Sequence, residues 1–190
     1  MTDGRVHDLV SLRAFLDGRL ATAGLVSAGL AASACLRPDH WERLEVEADA
    51  RMASPALRAT SRRQGGQLLR AATATLPPPL LGATSARQGR VHLAVAMGLV
   101  GAAAGLGAEE SARWAAYDSV AGPASAAVRL LGLDPFAVHR LLAMLATHVD
   151  DIAPAAASLA AEGSIPSPSA PMLDIGAEHH SREGVRLFAS

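Results

Sequence analysis

Apolar residues recur every three to four positions along most of the chain. Leu9, Leu12, Leu16 and Leu20 fall on one side of a helix, the spacing that a single buried face requires. The pattern predicts a first helix from Asp8 to about Cys35, with Gly24 and Gly29 as points of division and Pro38 as its stop. Asp39 followed by Glu42 predicts a reciprocal cap on a second helix ending near Met52. Ser54-Pro55 predicts the start of a third, carrying Leu57, Gln64, Leu68 and Leu69 and ending before Pro77-Pro78-Pro79. Residues 76–89 read as a loop. A fourth helix is expected over Val91 to Leu106 and a fifth over Glu109 to Ala121, where Gly122-Pro123 breaks or kinks the chain. A sixth runs from Ala124 to Leu131 with Gly132 as its C-cap. Asp134-Pro135 opens a seventh that passes Leu141, Leu142 and Leu145 to about Ile152, with residues 155–161 adding a turn or two. Gly163 to Pro171 reads as a linker, and a short helix and tail, residues 172–190, finish the chain.

No stretch alternates Val, Ile, Thr or aromatic residues as a strand would. The expected fold is therefore all-α: one domain over residues 1–190, a bundle of about seven to nine helices with a docking C-terminal tail. Composition agrees. Half of the residues are hydrophobic and 18% are charged, which excludes disorder by composition. All 17 basic residues are Arg, and the net charge is -1. That balance argues against counterion-driven nucleic-acid binding. Residues 1–10 lack the apolar core of a secretory signal. Ala21 to Leu36 and Val91 to Leu106 fall short of the ~20 residues that a bilayer span needs. A cytoplasmic chain with no membrane contact is the expectation.

Candidate chemistry is sparse. The single Cys35 excludes a disulfide framework and a Cys-based zinc site. Without Lys there is no Walker lysine, and no Gly-x-Ser-x-Gly elbow or HExxH pair occurs. Glu178-His179-His180 is the densest donor cluster, but adjacent His on a helix point apart and chelate poorly. Glu109-Glu110 reads as helix-start capping. The sequence names no catalytic residue, no resident cofactor and no metal ligand set.

Three features need more than a bland explanation. Arg62, Gln64, Gly65 and Gly66 form a polar, glycine-containing patch inside a helix, where each Gly costs roughly 1 kcal/mol relative to Ala. The patch predicts close approach of another helix or backbone. Arg129 is the one charge in Ala124 to Leu133, in a helix that otherwise reads as buried. A buried Arg must be paired or must donate to carbonyls. The last residues, Arg186-Leu187-Phe188-Ala189-Ser190, place one of three Phe at the extreme terminus, and Phe and Arg suit interface anchoring.

In that order these features resemble the urease accessory protein UreF family. Arg58 to Leu69 resembles its Arg-x-x-Ser-x-x-x-Gly-x-x-Leu-Leu helix through Ser61, Gly65 or Gly66, and Leu68-Leu69. His92, Val95, Ala96 and Gly98 are similar to its His-x-x-Val-Ala-x-Gly segment. Ser125-Ala126-Ala127-Val128-Arg129-Leu130 resembles its Ser-Ala-Ala-x-Arg-Leu helix. Leu173-Asp174-Ile175, then His179 or His180, then Arg186-Leu187-Phe188-x-Ser190 resemble its C-terminal signature. Two departures stand out. Gly4-Arg5-Val6 corresponds to a point well inside the family's N-terminal pattern, so the helix and Pro-x-Gly-x-x-x-His-Ser-x-Gly turn that usually come first are expected to be missing. Leu133-Asp134-Pro135 stands where many members have Leu-Gly-Gln, as in an actinobacterial-type subgroup.

The resemblance implies a non-enzymatic, dimerising all-α protein that binds UreD (UreH in some organisms) and the GTPase UreG and assists nickel delivery to apo-urease. It implies no permanently bound cofactor; nickel is handled by the complex. Arg186, Leu187, Phe188 and Ser190, with His179 and His180, are the expected partner contacts. Arg129, Ser125, Arg62, Gln64, Gly65 and Gly66 are the expected dimer or fold-specifying residues. From the residues alone, a helical ligand-binding or regulatory module and a small cofactor-dependent helical enzyme stay open as alternatives.

Overall fold

The computed structural model describes residues 6–76 and 91–182. Among these the regular structure is helical throughout, with no strand. Asp8 starts α1 (Leu9–Arg19) with a capping box: its carboxylate accepts from Ser11 N at 2.8 Å, and Ser11 Oγ accepts from Asp8 N at 3.1 Å. A π turn, Leu20–Gly24, carries the chain without a break into α2 (Leu25–Leu36). The expected first helix is thus one rod, with the widened turn where Gly24 was to divide it. Leu12, Leu16 and Leu20 are buried, whereas Leu9 is exposed at the helix start.

α2 is the central element. Its run from Ala28 to Ala34 is buried on every side, with α5 (Leu93–Ala103), α6 (Ala108–Leu131) and α7 (Pro135–Ala161) packed around it. Small residues make this possible. A Cβ on Gly98 of α5 would run into the Ala31 carbonyl oxygen, so only glycine lets the two backbones approach that closely. The rod Leu9–Leu36 is long and apolar enough to cross a membrane, and 56% of its most apolar window is buried inside the protein.

Two expectations about helix ends are corrected. Asp39 and Glu42 do not form a cap. Pro38–His40 is a 3-10 turn, and α3 (Trp41–Arg51) follows with no side-chain cap at His40. Asp39 lies inside that turn rather than in the extended backbone that an N-cap needs. Gly122-Pro123 does not divide the chain either; α6 is continuous through Pro123. Proline lacks the N–H that would bond the carbonyl four residues back. Here that carbonyl belongs to Ser119, and Arg19 Nε donates to it at 2.7 Å. The orphaned acceptor is satisfied from a neighbouring helix, so the helix continues. α7 likewise runs on through Pro154.

The remaining helices are α4 (Pro55–Thr75) and α8 (Pro171–Arg182). Ser54 caps α4 by accepting from Leu57 N at 3.1 Å. Asp134 caps α7 through Phe136 N and Ala137 N. Gly132 ends α6 in the left-handed region at φ 64°, where a Cβ would be strained. The expected linker, Gly163 to Pro171, ends one residue early because Pro171 opens α8, and residues 163–170 are a fitted strap. Pro166 is buried against Gly29, and Arg51 donates to the Ile165 and Pro166 carbonyls at 3.2 and 2.9 Å. Arg37 closes the preceding helix by donating to the Ala160 and Ala161 carbonyls at 3.1 and 3.0 Å, the favoured place for a cation.

Candidate functional site

α3 carries Glu45 and Asp49 on one face, four residues apart, and α4 faces them with Arg58, Ser61 and Arg62. The start of α5 completes the cluster with His92. Arg62 Nη2 donates to Asp49 Oδ2 at 2.5 Å and stands 3.7 Å from Glu45 Oε2 through Nε. Arg58 lies 3.8 Å from Asp49 and donates to the Met52 carbonyl. Glu45 Oε1 accepts the His92 backbone N–H at 2.7 Å, so a carboxylate from α3 serves the N-terminus of α5.

The His92 ring is 1% exposed. Its Nδ1 is 3.0 Å from Ser61 Oγ and its Nε2 is 3.2 Å from Asp49 Oδ1. Ser61 Oγ also accepts the Leu93 N–H at 3.1 Å. The network assigns the proton positions: Ser61 donates to Nδ1, and Nε2–H donates to Asp49. Ser61, His92 and Asp49 thus stand in the order of a Ser–His–acid chain. Ser61, however, spends its acceptor on the first turn of α5, and the chain ties three helices together.

Burial pushes Glu45 up to about 7, against the pull of the His92 amide and Arg62. Burial also holds His92 below its ordinary value, although its bond to Asp49 works the other way. That favours the neutral ring the hydrogen bonds require. For Asp49, burial raises the pKa, but the bonds from His92 and Arg62 outweigh it and keep the carboxyl below its ordinary value. Glu45 Oε2 is buried with no hydrogen-bond partner.

Beside this network lies a groove of about 490 Å³. Ser61 and His92 form part of one wall and Arg129 of another. Pro168, Leu173 and Asp174 border it from the strap and α8. α8 is fastened to the start of α4: Asp174 Oδ1 accepts from Ser54 N at 2.7 Å, and Glu178 Oε1 accepts from Ser54 Oγ at 2.5 Å and Ala56 N at 3.0 Å.

The glycine patch is explained within the chain. Gly65 and Gly66 are buried, and a Cβ on Gly65 would strike the Val91 carbonyl oxygen; the predicted close approach is the entry to α5. Arg62 is paired with Asp49, and Gln64 is exposed beside the groove. Arg129 corrects the expectation of a buried charge. It sits in the last turn of α6 and is exposed, as is Ser125, while Ala124 and Ala127 turn inward. His179 and His180 lie in the last turn of α8, and both are exposed. Arg186, Leu187, Phe188 and Ser190 lie outside the described residues. The sequence alone assigned no role to Glu45 or Asp49, read Glu178 only as part of a donor cluster, and gave Asp174 none beyond its place in a motif. The signal was present as two acidic pairs at i,i+4, each on one face of its helix.

Cys35, half-buried, donates from Sγ to the Leu106 carbonyl at 3.3 Å. Among the described residues no group of three or more His, Cys, Asp or Glu is placed to hold a metal ion.

Fold and site define an all-α bundle in which four separate sequence motifs, through Ser61, His92, Arg129 and Leu173, border one groove. A family model described as UreF matches residues 6–146. Urease accessory proteins UreF from Mycobacterium marinum and Mycobacterium sp. strain JLS are 42% and 41% identical, over 100% of this chain and 86% of each relative. The protein of the same name from Mycobacterium tuberculosis strain H37Rv is 36% identical over 98% of this chain and 85% of its own length. The chain belongs to the UreF family of urease accessory proteins.

Proposed function

We propose that the chain acts as a non-catalytic scaffold in urease maturation. It works as a cytoplasmic homodimer that binds UreD/UreH and the GTPase UreG and assists insertion of nickel, the cargo of the complex, into apo-urease. The observation that carries this reading is the agreement of family membership with the placement of the motifs. The Arg58–Leu69, His92–Gly98 and Leu173–Ile175 segments converge at the junction of α3, α4, α5 and α8. Ser61 bonds His92 across two of them, and Arg62 and Asp174 bond Asp49 and Ser54 at neighbouring helix positions, linking helices as a shape-holding protein needs.

Partner contact is assigned to Arg186, Leu187, Phe188 and Ser190, with His179 and His180 at the end of α8. Ser125 and Arg129 occupy an exposed stretch of α6 suited to the dimer contact. Co-purification tests the reading. The full chain is expected to retain UreD and, through that complex, UreG. Removing an Arg or aromatic anchor at the tail is expected to cost about 2 kcal/mol or more of binding. Failure to retain UreD, together with a tail deletion that changes nothing, sinks the proposal.

A further inference from the structure

We infer that the pocket enclosed by the end of α2, α3 and the strap is a binding site for a phosphate-type anion, free or carried as a small ester. This site stands apart from the scaffold role.

The pocket has a volume of about 460 Å³, the size of a small-molecule site. Its lining is basic. Arg37, His40, Arg43 and Arg51 border it, against one carboxylate, Glu47. The whole chain carries a net charge of -1, so this concentration of guanidinium groups is local. Glu47 is already spent on Arg51, whose Nη1 donates to its carboxylate at 2.5 Å. Arg51 also donates to the Ile165 and Pro166 carbonyls, and Arg37 donates to those of Ala160 and Ala161. These bonds hold two guanidinium groups in place. Carbonyls are neutral, so the Arg37 charge is fixed but not cancelled, apart from the partial negative charge at the end of α7. Arg43 is exposed on α3, one turn before Glu47, and His40 is exposed beside it. Neither side chain makes a hydrogen bond or ion pair with the described residues. A fixed positive wall with uncommitted donors at its rim is what recognition of an oxyanion requires.

A second observation comes from the inner wall. Ser33 borders the pocket and is 4% exposed, yet its hydroxyl makes no hydrogen bond to any described residue. Other helical hydroxyls behave differently: those of Thr22, Thr73 and Ser119 bond a carbonyl one turn back. A sheltered hydroxyl without a partner destabilises the fold. An oxyanion seated among the arginines supplies the acceptor that Ser33 lacks. Leu44 and Ile165 add an apolar side, against which the carbon body of an ester can rest.

The test uses the full chain at constant ionic strength, titrated calorimetrically with inorganic phosphate and with glycerol 3-phosphate. Saturable binding of at least one probe is expected, at one site per chain and with a Kd below about 1 mM. Which probe binds more tightly tells whether the group arrives free or esterified. Arg43→Gln is expected to weaken binding about tenfold or more, and Ser33→Ala about threefold. Neither should lower the thermal midpoint of the unliganded chain, because Arg43 holds nothing in place and Ser33→Ala removes an unpaired hydroxyl. Arg63 is exposed on α4, outside the pocket lining, and Arg63→Gln should bind as the parent does.

Binding of neither probe overturns the inference. So does parent-like binding by Arg43→Gln or by Ser33→Ala. An equal loss in Arg63→Gln also overturns it, since the response would then follow net charge rather than the pocket. If Ser33→Ala does not fold, Arg43→Gln, on the exposed rim, decides the matter against the Arg63→Gln control.

Discussion

At the residue scale, Glu45 is the most consequential side chain that the sequence did not announce. It is 9% exposed, gives one oxygen to the His92 amide and leaves the other without a hydrogen bond. Its folded pKa is raised from 4.5 to about 7, so the native state holds a proton that the unfolded chain releases. The stability linked to that proton is full below pH 4.5 and is lost as pH rises through about 7. Glu45→Gln keeps an acceptor for the His92 amide and removes the charge. Its thermal midpoint is expected to exceed that of the parent at pH 8, where the parent carries the buried charge, and to match it near pH 4.5. The difference at pH 8 is on the order of 3 kcal/mol at most. A midpoint difference that does not change with pH would refute the burial argument. His92 has the opposite sign. Its lowered pKa costs stability as pH falls below its ordinary value, and comparing each variant with the parent at the same pH separates the two groups.

At the element scale, helix continuity depends on which group takes an unused carbonyl. Arg19→Ala leaves the Ser119 carbonyl without the bond that Pro123 cannot supply, at an expected cost of about 1–3 kcal/mol. Pro123→Ala returns an N–H to that position. In the double variant the Arg19 loss should shrink, a coupling that denaturant unfolding of the four chains would measure. Additive losses would show that Arg19 does not compensate for the proline. Gly65→Ala is expected to destabilise by about 1–3 kcal/mol, because the new methyl meets the rigid Val91 carbonyl; a neutral effect in the same assay would show that the entry to α5 can give way. These cases also mark what the sequence could convey. Ser54, Asp134 and Gly132 act through neighbours in the chain, so their roles were legible as caps. Gly65 was legible as a close approach, because glycine inside a helix needs a reason, though not which backbone would fill it. Pro123 reads as a break because its compensation comes from Arg19, on a helix 100 residues away. Arg129 reads as buried because adjacent alanines look buried as a group, whereas helical geometry turns Ser125 and Arg129 outward and Ala124 and Ala127 inward. The carboxylates of α8 could not be paired from sequence, since their partners are backbone amides and a hydroxyl whose position only the fold defines.

At the scale of the whole molecule, the early part of the chain is finished by the late part. Arg37, at the end of α2, reaches the Ala160 and Ala161 carbonyls, and Gly29 within α2 receives Pro166. In the proposed role, partner capture depends on a body whose ends depend on each other. A chain cut before Pro166, within residues 163–165, would lose Pro166 from its place beside Gly29, and with it α8 and the tail. It is expected to lose both partner capture and several degrees of thermal midpoint, whereas deletion of residues 183–190 should lose capture alone; equal midpoints for the two truncations would show that the strap does not brace α2. The same arrangement has a kinetic side. α2 is synthesised among the first helices, yet the residues that cover it come from α5, α6, α7 and finally the strap. Until then its Ala-rich surface has no permanent cover. Closure of the core depends on contacts of high sequence separation, which form slowly and leave apolar surface open to association in the meantime. Nascent chains stalled between α2 and α7 should be the stage of this protein's life most in need of a chaperone.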